Sequence, residues 1–347
     1  MRVFSSDGID SMRRFIPFTP LLIFFSLFFL SGCFAEYFDY WESQHTKPKV
    51  SEGVVAGLSG SLIVLPDERE RANLVWALQN AKKRIWVETY TWTEKETQAA
   101  FIDAKNRWLD LRVILEGNVY ETPRINDPAI KSFRSHSIQA EYSSDDFAFT
   151  HMKLWIIDNL WCVSTGNWSY SSFTKNREFI FCSTDESILL SLEEIFLSDL
   201  KHIPPVFSKQ WLDARIWLAP FNLRDFLDKQ IFSAKNEIIA YNQSISDPEI
   251  LKILSEKQKN HVHVELCQST KSSTGSDYFE IPLFTSDKPY LHAKIFLLDG
   301  KDIILWSANM TSNAIDNNRE IMIKIENNPS LYSKIRNLYN IDCKKQP

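Results

Sequence analysis

The sequence predicts an α/β protein built from two duplicated α/β/α units that pack about a pseudo-two-fold axis and share one active site. Two observations predict this fold. Strand-like and helix-like segments alternate in the same order in both halves of the 347-residue chain, a pattern typical of α/β sheets. In addition, a polar motif of five parts occurs once in each half, and this indicates an internal duplication whose copies can pack symmetrically.

The first unit is predicted over residues 59–203. It begins with a helix around residues 74–81, followed by a strand from Arg84 to Tyr90. The elements expected next are a helix over 95–108, a strand over 111–115, a short helix near 128–134 within a long connection over 116–150, a strand carrying His151, a strand over 179–181 and an amphipathic helix over 187–200.

The second unit is predicted over residues 204–347, because the sequence His202-Ile203-Pro204-Pro205 breaks the chain between the halves. The predicted order repeats that of the first unit: a helix near 222–234, a strand over 237–241, a helix over 247–259, a strand over 262–266, a Ser/Thr-rich loop over 268–280 and a strand carrying His292.

The amino terminus, residues 1–33, has the features of an export signal. Arg13 and Arg14 precede an apolar run over residues 15–30, which is shorter than the roughly 20 residues of a spanning helix. Leu-Ser-Gly-Cys at the end of this run resembles the bacterial lipoprotein signal, in which the cysteine, here Cys33, is lipidated. We therefore expect an exported lipoprotein held on a bacterial membrane by a tether over residues 34–58; an uncleaved anchor or an ordinary signal peptide is the alternative.

The charge balance does not favour nucleic acid as a partner. The net charge is -5, and because residues 1–32 contribute three Arg and two Asp (+1), the remaining chain carries -6. A mildly acidic body attracts polyanions weakly as a whole, although a local basic groove stays open.

The four other cysteines form no C-x-x-C pair, so no structural zinc site is predicted. Cys162 and Cys182 lie in apolar strand-like runs, and the simplest interpretation is that they are buried thiols. In an exported protein Cys267 and Cys343 could form a disulfide, although connectivity cannot be read from the sequence. His261 and His263 would share a strand face, but no third metal ligand is evident near them.

The repeated motif joins a histidine, a lysine two residues later, an aspartate, an asparagine and an Asn-Arg-Glu tripeptide. The distance from asparagine to glutamate is 11 residues in both copies. The first copy contains His151, Lys153, Asp158, Asn167 and Glu178, and the second contains His292, Lys294, Asp299, Asn309 and Glu320.

These residue types suit attack on a phosphodiester. Residues i and i+2 of a strand face the same side, so each histidine and its lysine would point together into a shared cleft. One imidazole can attack phosphorus while the other protonates the leaving oxygen. Lysines and asparagine amides can stabilise the phosphate oxygens, and Glu178 and Glu320 can hold the second nitrogens of the imidazoles. No metal or other cofactor is required for this chemistry.

At this point the chain resembles the phospholipase D superfamily, whose members carry two H-x-K-x4-D motifs; the likeness covers most of residues 60–325. The resemblance implies a covalent phosphohistidine, with His151 as nucleophile and His292 as general acid. It further implies that the lysines of both copies act in catalysis, that Asp158 and Asp299 are structural, and that phosphate is bound by Asn167, Asn309, Thr165 and Ser307.

The sequence departs from the family's Gly-Ser-x-Asn segment. The first copy reads Ser-Thr-Gly-Asn over residues 164–167, one residue closer to its aspartate. The second has Trp306 where glycine is expected. Glycine would let the backbone approach the substrate, so Trp306 could narrow the cleft or point away into an apolar layer.

We therefore expect a phosphodiesterase that hydrolyses phospholipid head groups, is anchored on a membrane, and is monomeric because both motifs lie in one chain. The alternatives are a nuclease of the same superfamily, a transferase that joins two phospholipids as in cardiolipin synthesis, and a binding lipoprotein without catalysis.

Overall fold

The computed structural model describes residues 58–203, 213–270 and 280–344. Their strands fall into two sets that follow one another along the chain. The first seven strands are β1 (Ser61–Leu65), β2 (Arg84–Thr89), β3 (Asp110–Leu115), β4 (Gln139–Tyr142), β5 (Lys153–Ile157), β6 (Leu160–Ser164) and β7 (Asn176–Ser183). The second set comprises β8 (Ile216–Ala219), β9 (Glu237–Asn242), β10 (His263–Ser269), β11 (Leu283–Ser286), β12 (Tyr290–Leu291), β13 (Lys294–Leu298), β14 (Asp302–Trp306) and β15 (Glu320–Ile325).

The helices alternate with these strands, and several begin at residues that cap helices well. The side chain of Asp67 accepts the backbone N–H of Arg69, and that of Asp247 accepts the N–H of Ile250. The helices are α1 (Glu68–Asn80), α2 (Lys95–Asp103), α3 (Asp127–Ser135), α4 (Tyr170–Thr174), α5 (Glu186–Leu200), α6 (Leu223–Ser233), α7 (Pro248–Lys259), α8 (Ser312–Asp316) and α9 (Pro329–Tyr339), with a 3₁₀ turn over Ala104–Arg107 and a π-helical turn over Asn340–Lys344.

The two sheets have the same topology. One runs β4-β3-β2-β5-β6-β7-β1 and the other β11-β10-β9-β13-β14-β15-β8, so that each strand of the first copy has a counterpart in the second. In both, the first three strands of this order are parallel and the following pairs are antiparallel. The predicted α/β fold of two duplicated units is thereby confirmed.

Both faces of each sheet are covered by apolar side chains. The inner cluster joins β5, β6, β13 and β14 of both sheets with α5 and α9, while the outer clusters pack α1–α3 on the first sheet and α6–α7 on the second. Strands buried on two faces are nearly continuous apolar runs, as in Ile-Phe-Leu-Leu of β13. Because the inner cluster is common to the two copies, the described residues of both copies form one compact unit.

Several elements differ from the sequence prediction. His151 and His292 lie two residues before β5 and β13 rather than in those strands, and the helix expected to reach residue 108 ends at Asp103. The short strands β1, β4, β8 and β11 were not predicted. Each has only four or five residues and forms an edge or near-edge of a sheet, so its periodicity is too brief to read.

The cysteine prediction was wrong for one pair. Cys162 and Cys182 are not thiols but form a disulfide, because β6 and β7 place them directly opposite each other with their Cα atoms 4.1 Å apart. Cys267 of β10 is joined to Cys343 in the π-helical turn. The second disulfide is the pairing considered from the sequence.

Some sequence predictions fall on residues outside the described ranges. The signal segment with Cys33, the tether as far as residue 57 and the Pro204-Pro205 boundary are among them. Leu58, the last residue of the predicted tether, is buried in the inner cluster. Within the described ranges, no helix combines the length and apolar character that crossing a membrane requires.

Candidate active site

The backbones of His151 and His292 are each held by the opposite copy. The N–H of His151 donates to the carbonyl of Arg319 at 2.9 Å, and the N–H of His292 donates to that of Arg177 at 3.2 Å. The short strand β12, immediately before His292, pairs with the first two residues of β7. Backbone contacts between the two copies therefore position both histidines.

The side chains of the two histidines also pair with residues of the opposite copy. Nδ1 of His151 lies 2.9 Å from Oε1 of Glu320, and Nδ1 of His292 lies 2.7 Å from Oε1 of Glu178. Both glutamates are fully buried. A carboxylate that accepts from Nδ1 fixes the tautomer that leaves Nε2 as the basic nitrogen, so each copy orients the imidazole of the other.

Each glutamate is held by neighbouring hydroxyl and amide groups. Thr165 Oγ1 donates to Glu178 at 2.7 Å, and Ser307 Oγ donates to Glu320 at 2.5 Å. Both hydroxyls are buried and support the orienting carboxylates, and the binding of phosphate by Thr165 and Ser307 stays a prediction. The first residue of each Asn-Arg-Glu tripeptide, Asn176 or Asn318, adds an amide contact to the glutamate of its own copy; Asn318 donates at 3.0 Å.

The lysines of the motif are buried beside the histidines. Lys153 Nζ donates to the carbonyl of His151 at 2.7 Å, and Lys294 Nζ donates to that of His292 at 2.7 Å. Lys294 also lies 3.2 Å from Nδ1 of His292 and donates to Gln243 at 3.2 Å. Each histidine and its lysine therefore lie on the same side, as predicted, although the histidines precede the strands.

Charge effects show that the two copies form one electrostatic site. The pKa of His151 is lowered to about 4, first by burial and then by the charges of Lys153 and Lys294, against the opposing effect of Glu320. The pKa of His292 is lowered by burial and by the same two lysines, against the effect of Glu178. Burial lowers the pKa of Lys294 to about 8 and that of Lys153 well below its ordinary value. At neutral pH both imidazoles are therefore neutral in the free protein.

The remaining motif residues divide into two kinds. Asn167 and Asn309 are half-buried, and within the described ranges the Oδ1 atom of neither has a hydrogen-bond partner. Asp158 and Asp299 have positive φ angles of 54° and 52° and cap the start of β2 and β9, where each carboxylate accepts three consecutive backbone N–H groups. Their contacts are structural in kind.

The one-residue offset between the copies lies in the hairpins that begin at these aspartates. Ile157 pairs with Leu160 across a two-residue turn, whereas Leu298 pairs with Asp302 across a three-residue turn that contains Gly300. The extra residue is thus accommodated before the asparagine. The distance from Asn309 to Glu320 is consequently unaffected.

Trp306 points away from the site. Its side chain is fully buried in the outer cluster of the second copy, where it packs on Phe296 with ring centroids 5.7 Å apart. Of the two positions considered from the sequence, the apolar layer is the one observed. The cleft is therefore not narrowed by this residue.

The histidine pair outside the motif does not form a site. The sequence predicted that His261 and His263 share a strand face, and this is wrong, because His261 lies in the turn before β10 with a φ of 65°. His263 instead pairs with Glu265 at 2.8 Å. Across residues 58–203, 213–270 and 280–344, no group of three or more metal-ligating side chains is arranged to hold an ion.

Sequence reasoning missed two contact residues at the ends of strands. The ring of Tyr90, directly after β2, packs edge-on against His151 at 4.7 Å, and Gln243, directly after β9, accepts from Lys294. The two positions correspond in the duplicated topology. Alignment of the two strand ends could have pointed to them, but their residue types differ and carry no motif.

A duplicated α/β fold with crossed His–Glu pairs and paired lysines defines a class of phosphoryl-handling proteins built from two half-sites. The family described as "Cardiolipin synthase, PLD-like domain" matches residues 74–200 and 227–341, which together make up more than half of the chain. The chain belongs to this family of the phospholipase D superfamily. No curated protein sequence matches it.

Among the solved structures that match, two share the fold over most of this chain. Polyphosphate kinase from Porphyromonas gingivalis superposes with a TM-score of 0.65 at 16% identity, covering 87% of this chain and 52% of the kinase. The present chain thus spans about half the length of that protein. Phosphatidylserine synthase from Haemophilus influenzae Rd KW20 superposes with a TM-score of 0.62 at 12% identity, covering 82% of this chain and 87% of the synthase. At these identities the likeness concerns the fold alone.

Proposed function

We propose that the protein is a phosphodiesterase that cleaves phospholipid head groups through a covalent phosphohistidine. One observation carries the proposal. Two imidazoles have their Nδ1 atoms bound to buried carboxylates from the opposite copy, and two buried lysines lie beside them. This arrangement supplies a nucleophile, an acid and positive charge for phosphate oxygens.

In the first step, Nε2 of His151 attacks phosphorus. A P–N bond forms as the P–O bond to the head group breaks, and His292 gives its Nε2 proton to the leaving oxygen. The lowered pKa of His151 keeps this nitrogen free of a proton at neutral pH. His292 needs a proton for its role, and the negative charge of a bound phosphodiester would raise its pKa against the effects of burial and of Lys294.

In the second step, the neutral His292 removes a proton from water as the water oxygen attacks phosphorus. The P–N bond breaks, His151 is regenerated, and phosphatidic acid is released. Lys153, Lys294, Asn167 and Asn309 bind the phosphate oxygens in both steps. Electrostatic stabilisation by such fixed donors acts strongly in a buried site.

An exported, lipid-anchored location completes the proposal. Two disulfides favour an oxidising compartment, in agreement with the export signal and Cys33 read from the sequence. An anchor would raise the effective concentration of lipid at the active site.

A transferase reaction is the second candidate, and the matched family's description favours it. In that case an alcohol group of a lipid, rather than water, would attack the phosphohistidine in the second step. The same residues would act in hydrolysis and in transfer, and only the acceptor of the phosphoryl group differs. A nuclease would use the same residues on a polyanion, which the acidic composition disfavours.

The test offers mixed phospholipid vesicles, and separately single-stranded DNA, to the protein comprising residues 34–347 with a chelator present. Wild type, His151→Ala and His136→Ala are compared, because His136 is an exposed histidine outside the motif. Free head group released by wild type and His136→Ala but not by His151→Ala supports hydrolysis. A new diester lipid supports transfer, DNA cleavage alone supports a nuclease, and no turnover by folded wild type would overturn the proposal in favour of a binding protein.

A further inference from the structure

The arginine of each Asn-Arg-Glu tripeptide connects a catalytic histidine to a buried acid. Arg319, whose carbonyl accepts the N–H of His151, donates from Nε to Oδ2 of Asp199 at 3.0 Å. Arg177, whose carbonyl accepts the N–H of His292, donates from Nε to Oδ2 of Asp342 at 2.6 Å. Each acid lies at the end of the last helical segment of its own copy, so the two networks correspond.

The networks differ at one position. In the second copy the phenol of Tyr241, the fifth residue of β9, donates to Asp342. The fifth residue of β2 is Glu88, which is fully buried and lines the same small cavity as Asp199. Among the described residues, no N–H or O–H group donates to either oxygen of Glu88. The first copy therefore has a second carboxyl where the other has a neutral hydroxyl.

Two buried carboxyls beside one guanidinium cannot both be ionised without a large penalty, so the pair retains a proton. Burial, and then the charge of Asp199, raise the pKa of Glu88 well above its ordinary value. A protonated Glu88 can donate to Asp199 as Tyr241 donates to Asp342. The two networks then become equivalent in hydrogen bonding, but only the first can lose its donor by titration.

A small cavity connects the pair to titratable groups nearer the surface. It is lined by Glu88 and Asp199, by Ser143 and Asp146 of the chain after β4, by Thr150 and by His202 after α5. Thr150 directly precedes His151. The charged or titratable groups that face Glu88 are thus Asp199 and His202 from the α5 end, Asp146 from the loop and Arg319 from the chain before β15.

We propose that Glu88 is a positioning residue for His151: its carboxyl donates a hydrogen bond to Asp199, Asp199 fixes Arg319, and the carbonyl of Arg319 holds the His151 backbone. Loss of the Glu88 proton places a second negative charge in the buried network. Arg319 then shifts toward the added charge and the His151–Glu320 pair loses its alignment. As a consequence, the Glu88 network adds to the fall of turnover at alkaline pH, and the Tyr241 network of the second copy makes no such contribution.

The experiment compares pH–rate profiles of wild type, Glu88→Gln, Glu88→Ala and Tyr241→Phe, with bis(4-nitrophenyl) phosphate as the probe. Glu88→Gln keeps a donor that cannot ionise, so it should stay within about threefold of wild type near neutrality and show a smaller alkaline fall, of which only the part due to Lys294 remains. Glu88→Ala should lower kcat by about 10- to 100-fold at every pH with little change in KM, as expected for a misplaced nucleophile. Tyr241→Phe, the matched change in the other copy, should leave the shape of the profile unaltered.

An alkaline fall of the same size and midpoint in Glu88→Gln and in wild type would overturn the inference, because the whole fall would then belong to another group such as Lys294. The rate profiles rest on the proposed phosphodiesterase function, and a second readout does not. Difference infrared spectra at neutral pH should show a protonated carboxyl band in wild type that Glu88→Gln lacks. Absence of that band would overturn the inference even in an active enzyme, whereas its presence in an inactive protein would leave the network intact and count against the proposed function alone.

Discussion

His151 Nδ1 and Glu320 Oε1 lie 2.9 Å apart although the two residues belong to opposite copies of a duplicated motif. The reciprocal pair, His292 with Glu178, is joined at 2.7 Å. Neither copy can therefore complete a His–Glu pair by itself. The duplication produces one site that depends on both halves, which is consistent with the inner apolar cluster that they share.

The first prediction concerns this crossing. Glu320→Gln and Glu178→Gln remove the charge that holds each imidazole while preserving side-chain size, and each should lower kcat by roughly 10²–10⁴-fold, as expected for loss of an orienting carboxylate. Steady-state rates with bis(4-nitrophenyl) phosphate measure the effect. Glu141→Gln on the edge strand β4, outside the motif, is the control, and equal rates for all three variants would exclude an orienting role.

The second prediction assigns the two histidines. In His292→Asn the acid is missing, but 4-nitrophenolate leaves without a proton, so the first step should still occur with bis(4-nitrophenyl) phosphate. The phosphorylated protein should then accumulate, because no base activates water for the second step. Peptide mass spectrometry should find the added group on His151. The assignment would be reversed if the added group were found on His292 in the reciprocal His151→Asn variant and were absent from His151 in His292→Asn.

The third prediction uses a difference between the copies. A Cβ placed on Gly166 would lie 2.6 Å from Cδ of Glu178, whereas Ala308 already occupies the corresponding position in the second copy. Gly166→Ala should displace Glu178 from His292 and destabilise the protein by about 1–3 kcal/mol. Denaturant unfolding and kcat are measured together. Ala308→Gly is the matched control and should retain the orientation of Glu320; unchanged values for Gly166→Ala would show that Glu178 can move without consequence.

The sequence predicted the duplicated fold because both copies keep their motif at fixed spacing, and because the buried strands are uninterrupted apolar runs. It could not predict which glutamate pairs with which histidine, since that depends on how the two copies pack. The disulfide between Cys162 and Cys182 depends on strand register, and register is set by contacts far apart in the chain. Glu88 was missed for a similar reason: its strand position reads as core, and its partner Asp199 is 111 residues away.

The fourth prediction concerns the Cys267–Cys343 disulfide. It closes a loop with a sequence separation of 76 residues and holds the turn that contains Asp342, the partner of Arg177. The double variant Cys267→Ser/Cys343→Ser should lower the free energy of unfolding by roughly 4 kcal/mol and should also reduce kcat, because the His292 backbone rests on Arg177. The 20-residue Cys162–Cys182 pair, replaced in the same way, is the comparison. A larger loss of kcat in that second variant would contradict the link to Asp342.

The last prediction is the acid dependence of stability. The pKa of His151 is about 4 in the folded protein and about 6.5 in the unfolded chain, so the unfolded state binds more protons between these two values. The contribution of neutral His151 is therefore fully present above pH 6.5 and is lost as the pH falls toward 4. Between pH 7.5 and pH 5 this loss amounts to about 2 kcal/mol for His151, and the lowered pKa of His292 acts in the same direction.

Urea unfolding at the two pH values measures the loss in wild type, in His151→Gln and in the exposed-site control His136→Gln. The free energy of unfolding should fall less in His151→Gln than in His136→Gln, since glutamine does not titrate. An equal fall in both variants would mean that burial of His151 does not cause the loss of stability at low pH.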